Sequence, residues 1–143
     1  MNSLDDLKSS IISQFGTPCS VIDLDIIESN IQRAQKICDA AGVANRPHIK
    51  THKSPLLAKM QINAGARGIT CQKLGEAEVM AKAGIDDILI ATNILGAARS
   101  GRLASLQKRL PLKICADNQI SLREYSKFCV SGLSPILTAP FFS

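Results

Sequence analysis

Aromatic side chains are scarce in this sequence, since only 3% of its 143 residues are Phe, Trp or Tyr, with one Tyr and no Trp. Proteins that bind single-stranded nucleic acids stack the bases on such rings. The formal net charge of +5 comes from 17 Lys and Arg residues that are scattered along the chain rather than clustered. Both features argue against a nucleic-acid partner, and a mild positive charge suits a phosphorylated small molecule better.

Long apolar runs are also missing. No stretch reaches the roughly 18 uncharged apolar residues that a transmembrane helix needs. The first residues, MNSLDDLKSS, lack the basic and apolar regions of a secretory signal. We therefore expect a cytoplasmic protein that does not bind membranes.

The cysteines follow no metal-binding or disulfide pattern, because they lie far apart and include no CxxC pair; they are Cys19, Cys38, Cys71, Cys115 and Cys129. An odd number with irregular spacing disfavours both a zinc site and a disulfide framework. We predict that they are buried free thiols. The phosphate-binding loops GxGxxG and GxxxxGKS/T are absent too, so ATP and NAD binding are unsupported.

The sequence does contain a regular alternation of short apolar segments with amphipathic ones. Residues 1–16 predict a lead-in helix, after which residues 19–24 predict a strand and residues 25–41 a helix. Strands are then predicted at 45–50, 68–72, 87–91 and 112–116, and helices at 54–63, 74–83, 97–110 and 118–128. Parallel neighbours need a crossover that is usually helical, so the alternation predicts parallel βα units.

The predicted fold class is α/β. Both faces of the strands are apolar, as in Ile88-Leu-Ile-Ala91, which fits a (β/α) barrel and an open doubly wound sheet equally well. Residues 17–127 form the predicted main domain. The uncharged segment 128–143 does not continue the βα pattern. It is either a strand with a hydrophobic tail that docks on a partner, or an abnormal end produced by truncation or a change of reading frame.

The densest polar cluster is RPHIKTHK, residues 46–53, at the end of the second of these strands. Parallel α/β folds carry functional residues at this end. Alternate strand residues share a face, so Arg46, His48 and Lys50 are predicted to point the same way, toward an anionic phosphate or carboxylate. Lys50 is then a candidate Schiff-base amine. Alternatively, Arg46 and His48 are structural, and Lys50 is a solvated loop lysine.

Two amide side chains are further candidates. Gln72 and Asn93 lie at or just after the ends of the next two strands, where each could hydrogen-bond a ligand or, alternatively, cap a turn or helix. A metal site at His48 and His52 is disfavoured, because residues four apart on a strand lie about 13 Å apart. We predict no metal ligands in this sequence.

Five segments together resemble the D-threonine aldolase and D-serine dehydratase-like family: Thr17-Pro18, the predicted strand ending in Asp23-Leu24-Asp25, RPHIKTHKSP at 46–55, GITCQKLGEAE at 68–78 and ILIATN at 88–93. The similarity runs from about residue 15 to about residue 120. It implies the N-terminal portion of an alanine racemase-type (β/α)8 barrel that binds pyridoxal phosphate. It also implies that Lys50 forms the Schiff base with the cofactor, with His48, Gln72 and Asn93 as pocket residues.

The resemblance implies a lyase that acts on small D-amino acids. The reaction would be retro-aldol cleavage of D-3-hydroxy amino acids such as D-threonine, or dehydration of D-serine-type substrates. Full-length relatives of this kind resemble divalent-metal enzymes, and the metal ligands near their C-termini have no counterpart here. A closed barrel has eight strands in about 250 residues. Because four or five βα units are present, we predict a partial barrel with little activity alone; a non-catalytic cofactor carrier and a homo-oligomeric interaction module are the alternatives.

Overall fold

The computed structural model describes residues 3–128 and 134–137 of the chain. The chain divides into two compact units, Met1–Asn30 and Ile31–Ser143. The first unit holds helix α1 (Leu4–Phe15) and the start of helix α2 (Leu24–Ala40), which continues into the second. The predicted lead-in helix is therefore confirmed within the described residues, and Met1 and Asn2 lie outside them.

The strand predicted over residues 19–24 is wrong. These residues are exposed and form no strand, and helix α2 begins at Leu24. The reason is local: Asp23 Oδ1 accepts hydrogen bonds from the backbone N–H groups of Asp25 and Ile26, at 3.0 and 3.1 Å, and so caps the helix. The apolar run that suggested a strand pairs with no other strand in the described part of the chain.

The second unit is built on a parallel sheet in which strands that follow each other in sequence are also neighbours. Its strands are β1 (Ile69–Cys71), β2 (Ile88–Ile90), β3 (Leu112–Ala116) and β4 (Ser134–Leu137). The helices are α3 (Pro55–Asn63), α4 (Leu74–Lys82), α5 (Ala97–Gln107) and α6 (Gln119–Phe128). This α/β arrangement is consistent with part of a (β/α) barrel. Among the described residues, no helix is both long and apolar enough to cross a bilayer.

The core lies between one face of the sheet and the helices. On β2 and β3, the residues of this face are fully or almost fully buried, among them Ile88, Ile90 and Ile114, and they join a cluster with Met80 and Leu103 from the helices. Each such side chain contributes about 1.5–3 kcal/mol relative to an exposed one. The other face carries Leu89 and Lys113, which are only half-buried.

The strand predicted over residues 45–50 forms only in part. His48 makes a single parallel bridge with Thr70, and a short 3-10 helix, Ile49–Thr51, follows at once. Pro47 has no N–H to extend the ladder. The His48 side chain also accepts a hydrogen bond from the Lys50 N–H, which stabilises the turn. Lys50 therefore lies beyond the strand rather than on it, so it does not share a strand face with Arg46 and His48 as predicted.

The last segment departs from its prediction in one respect. Residues 134–137 form β4, which pairs in parallel with β3, so the βα pattern continues into the segment predicted to abandon it. The segment 128–143 carries no charge and includes two prolines, so its sequence did not indicate a regular strand. The remaining residues of the predicted tail, including Cys129, lie outside the described residues.

Arg46 has a protein partner rather than an anionic ligand. Its Nη1 lies 2.8 Å from Asp87 Oδ1, which also pairs with Lys113 Nζ. These partly exposed side chains form an ionic cluster on the half-buried face, at the amino end of the strands. The cluster keeps the pKa of Asp87 low, at about 2, mainly through the Arg46 hydrogen bond. The expectation that Arg46 faces a bound phosphate or carboxylate is therefore wrong.

Gly68 gives Arg46 the space to reach Asp87. A Cβ at position 68 would lie 2.4 Å from the Asp87 carbonyl oxygen and 2.6 Å from Arg46 Nη1. We expect Gly68→Ala to lower the free energy of unfolding by about 1–3 kcal/mol. The control is Gly101→Ala in α5, where a Cβ meets nothing within 4 Å and helix propensity should add about 0.5–1 kcal/mol. Urea denaturation measures both, and equal stabilities would contradict the packing described.

The ionic cluster predicts a specific loss of stability in acid. A carboxyl whose pKa falls on folding stabilises the protein above its unfolded pKa of about 4, and this contribution disappears as the pH falls toward the folded value of about 2. After allowance for solvent screening, it is worth about 1 kcal/mol. We expect Asp87→Asn to lower stability at pH 7 by about this amount and to flatten the stability curve between about pH 4 and about pH 2.

Asp86→Asn is the matched control, since Asp86 is exposed and makes none of these ion pairs. Denaturant unfolding at several pH values measures the effect. If the free energy of unfolding fell as steeply between about pH 4 and about pH 2 in Asp87→Asn as in the unsubstituted chain, the assignment of this acid dependence to Asp87 would be contradicted.

Candidate active site

The predicted site residues gather at the carboxyl edge of the sheet. Lys50 follows the His48 bridge, Gln72 follows β1 and Asn93 lies three residues after β2. Because the strands are parallel, these segments emerge on the same edge, where α/β folds bind ligands. The structure thus brings the predicted residues to one edge of the sheet, with His48 bridged to its outermost strand, β1, and the binding of a ligand at this edge stays a prediction.

Lys50 carries an exposed amine at this edge. It lies in the middle of the short 3-10 helix, and among the described residues its side chain forms no hydrogen bond or ion pair. Its backbone is fixed, because its N–H donates to His48 Nδ1 at 3.2 Å. The following turn is held by Lys53, whose N–H donates to the Ile49 carbonyl at 2.8 Å. Lys50 thus combines a held backbone with a side chain free to react with a carbonyl compound.

His48 connects the lysine segment to the next strand. Its Nδ1 accepts a hydrogen from a backbone N–H, so the neutral ring carries its own hydrogen on Nε2. Nε2 lies 3.2 Å from Gln72 Oε1 and therefore donates to it. This leaves the Gln72 amide N–H groups pointing away from His48, where they can serve as donors to a ligand. His48 and Gln72 are thus brought together, and the amide is oriented by the ring.

The Gln72 backbone is held as firmly as its side chain. Its N–H donates to Glu76 Oε2 at 2.8 Å, and its carbonyl accepts from Thr92 Oγ1 at 2.8 Å. Glu76 also accepts from the Lys73 N–H and lies 3.5 Å from Lys53 Nζ. The loops that follow His48, β1 and β2 are therefore connected through polar contacts around Gln72.

Asn93 belongs to a separate part of the edge. Its Nδ2 donates to Asp117, directly after β3, rather than to His48 or Gln72. Asn93 Oδ1 is buried and has no hydrogen-bond partner among the described residues. The loop is anchored nearby, because the Tyr125 hydroxyl accepts from the Ile94 N–H at 2.8 Å and lies 3.2 Å from the Cys115 carbonyl. The Asn93 oxygen is thus a fixed acceptor that a donor from a ligand or water could satisfy.

The remaining histidine and the cysteines offer little chemistry. His52 Nδ1 accepts from the Ser54 N–H, away from the His48 contact, and burial lowers its pKa. Burial raises the pKa of Cys71 to about 12, which suppresses the thiolate. Cys71 is a buried free thiol as predicted, whereas Cys38 and Cys115 are only half-buried and Cys19 is exposed. Over residues 3–128, no group of three His, Cys, Asp or Glu could hold a metal ion.

The sequence did not predict three residues that support the candidate site through hydrogen bonds: Glu76, Thr92 and Asp117. Glu76 is the third residue of α4 and accepts from the N–H of the residue before the helix, which is one half of a capping box. Lysine occupies the cap position instead of serine or threonine, so the usual signal was missing. Asp117 could have been suspected, because it directly follows a strand at its carboxyl end. The Thr92 contact depends on strand pairing and carries no local signal.

A groove of about 520 Å³ lies elsewhere, along the outer surface of α4 and α5. It is lined by Glu78 and Arg102, whose carboxylate and guanidinium form an ion pair, and by small residues of α5. It contains none of the candidate residues of the carboxyl edge. We therefore assign the site by its chemistry rather than by the size of a surface groove.

Known proteins match this chain along most of its length. A D-threonine aldolase from Arthrobacter sp. is 39% identical over 121 residues, which cover 85% of this chain and 32% of that protein. A D-threo-3-hydroxyaspartate dehydratase from Delftia sp. (strain HT23) is 40% identical over 112 residues, or 78% of this chain and 30% of that protein. This chain thus spans about a third of the length of these relatives.

Solved structures give the same result. The crystal structure of D-threonine aldolase from Filomicrobium marinum superposes with a TM-score of 0.81 at 35% identity, over 85% of this chain and 34% of that one. The family described as "Alanine racemase, N-terminal domain" matches residues 22–136, which include Lys50, His48, Gln72 and Asn93. The chain therefore belongs to the alanine racemase N-terminal domain family.

Proposed function

We propose that this chain is the pyridoxal-phosphate-binding, N-terminal part of a lyase that cleaves D-3-hydroxy amino acids such as D-threonine, with Lys50 as the residue that holds the cofactor. The observation that carries the proposal is the state of Lys50, whose backbone is fixed by His48 while its side chain is exposed and unpaired within the described residues. The aldolases among the relatives support the reaction type.

The residues present fit such a cofactor. To form a Schiff base, the aldehyde of the cofactor requires an amine that is not held in an ion pair with a carboxylate. Lys50 meets this requirement. A group rich in acceptors needs donors, and the Gln72 amide offers N–H groups that His48 does not use. The buried Asn93 Oδ1 is an acceptor awaiting a donor. The exposed side chains of Lys53 and Lys73 near this edge favour an anionic ligand.

When bound, pyridoxal phosphate supplies an electron sink for the breaking of a bond at the amino acid Cα. The chain's own residues do the positioning. His48 holds the turn that carries Lys50 and orients the Gln72 amide through its Nε2–H. Gln72 in turn is held at its own backbone by Glu76 and Thr92. This arrangement keeps the amine and a hydrogen-bond donor at fixed positions on one edge of the sheet.

Dehydration is the second candidate reaction. The hydroxyaspartate dehydratase is 40% identical to this chain and the D-threonine aldolase 39%, so the matched region is equally similar to both kinds of protein. We propose further that the βα elements of the second unit are part of a (β/α) barrel, and that a metal, if the whole protein uses one, binds to residues other than those described. A non-catalytic, cofactor-binding role, or an interaction role as a homo-oligomer, would use the same fold without turnover.

The proposal predicts that Lys50 is labelled preferentially. Purified chain is titrated with pyridoxal phosphate, followed by absorbance, then treated with borohydride and digested for peptide mass analysis. We expect a saturable absorbance change and a reduced adduct concentrated on Lys50, because its exposed amine lies beside the His48–Gln72 pair at the carboxyl edge of the sheet. Lys50→Ala should abolish both signals.

Lys59→Ala is the matched control, because Lys59 is an exposed lysine of α3 outside the site. It should leave the titration and the Lys50 adduct unchanged. Labelling spread evenly over the lysines of a folded chain would overturn the assignment of Lys50. If turnover of D-threonine is detected, release of glycine would favour the aldolase reaction and release of ammonia the dehydratase reaction.

A further inference from the structure

Glu76 occupies a special position among the acidic residues of the second unit. It lies in the first turn of α4, with a side chain that is only 10% exposed, yet both of its oxygens are used. Oε2 accepts from the N–H groups of Gln72 and Lys73, at 2.8 and 3.3 Å. Oε1 lies 3.5 Å from Lys53 Nζ. A helix cap alone would account for Oε2 but not for the contact with Lys53.

The contacts of Glu76 complete a closed circuit. Starting at Lys50, the backbone N–H donates to His48, and His48 donates to the side chain of Gln72. The Gln72 N–H donates to Glu76, and Glu76 pairs with Lys53. Lys53 is three residues from Lys50, in the same turn. The series of contacts thus connects the lysine segment to Gln72 through the His48 ring, and Gln72 back to the lysine segment through the Glu76 carboxylate.

Such a circuit constrains the lysine segment more than any single contact does. A hydrogen bond to a charged acceptor is roughly twice as strong as a neutral one, so the Glu76 contacts are among the strong ones in this edge. Lys53 has a positive φ of 51°, a conformation that L residues seldom adopt and that surrounding contacts must maintain. The ion pair with Glu76 is one of these contacts, together with the Lys53 N–H bond to the Ile49 carbonyl.

We infer that Glu76 is a positioning residue for the cofactor lysine: it ties the turn that carries Lys50 to the Gln72 segment and so fixes the distance between the reactive amine and the donor amide. It touches neither cofactor nor substrate in this role. The inference rests on the proposed function and deepens it. It assigns a function to Glu76 in the CQKLGEAE segment, which the sequence had marked only as a family feature.

The test compares variants of Glu76 and Lys53 in the pyridoxal phosphate titration. Glu76→Ala removes every contact, and we expect about tenfold weaker cofactor binding and a smaller share of the borohydride-fixed label on Lys50. Glu76→Gln keeps an acceptor for the N–H groups but loses the ion pair, so the affinity should fall about threefold. Lys53→Gln should behave like Glu76→Gln, although it leaves the cap of α4 intact.

Glu78→Ala is the matched control, since Glu78 lies two residues away on the same helix and pairs with Arg102 outside the site. It should bind the cofactor as the unsubstituted chain does. Hydrogen exchange at the Gln72 and Lys73 amides gives a second readout, which should accelerate in Glu76→Ala alone. If Glu76→Ala does not fold, Glu76→Gln and Lys53→Gln decide the question.

The outcomes separate the two proposals. Unchanged affinity and unchanged Lys50 labelling in Glu76→Gln and Lys53→Gln would reduce Glu76 to a helix cap and overturn the inference, while leaving the function of Lys50 intact. A folded, unsubstituted chain without preferential label on Lys50 would overturn the proposed function, and the positioning role of Glu76 with it. Weaker binding in Glu76→Gln with normal stability supports the inference directly, because removal of a negative charge would by itself favour an anionic ligand. Weaker binding in Lys53→Gln alone would reflect the loss of a positive charge near the ligand and would count against the inference.

Discussion

Parallel pairing of strands that follow each other in the sequence is the constraint on which the rest of this structure depends. It places every strand start at one edge of the sheet and every strand end at the other. The two edges then acquire different chemistry. The ionic cluster of Arg46, Asp87 and Lys113 lies toward the amino end, where Gly68 makes room for it. The exposed Lys50 lies at the carboxyl edge. The same pairing that brings Arg46 and Lys113 to the shared Asp87 carboxylate therefore places that carboxylate at the opposite edge from Lys50.

This separation explains why the Lys50 side chain can remain unpaired although acidic residues of the same chain form ion pairs and hydrogen bonds. The carboxylates near the candidate site are engaged elsewhere: Glu76 with backbone N–H groups and Lys53, and Asp117 with Asn93 and Asn118. A carboxylate within reach of Lys50 would form an ion pair and compete with a carbonyl ligand for the amine. In the described residues, both carboxylates have partners other than Lys50.

The sequence predicted the helices and strands whose bounds depend on interactions between residues that are close in the chain. The helices α3, α4 and α6 and the strand β3 lie within one or two residues of their predicted bounds, because apolar periodicity and capping act over a few residues. The failures concern pairing. The segment 19–24 has strand composition but no neighbouring strand, and Arg46 finds its partner 41 residues away. The position of the candidate residues at one edge of the sheet was predictable because strand ends are recognisable in the sequence. Its supporting contacts, such as Thr92 to Gln72, depend on register and were not recognisable.

The geometry of the lysine segment and the affinity for a cofactor have separate origins. The circuit of His48, Gln72, Glu76 and Lys53 lies within residues 48–76, so two neighbouring loops are sufficient to fix the Lys50 backbone. Affinity for an anionic cofactor requires more, since most of the binding free energy of a phosphorylated ligand comes from the donors that surround its charge. The Lys50 backbone is therefore placed by contacts that lie within residues 48–76, whereas the affinity for any anionic ligand would depend on all the donors that surround its charge.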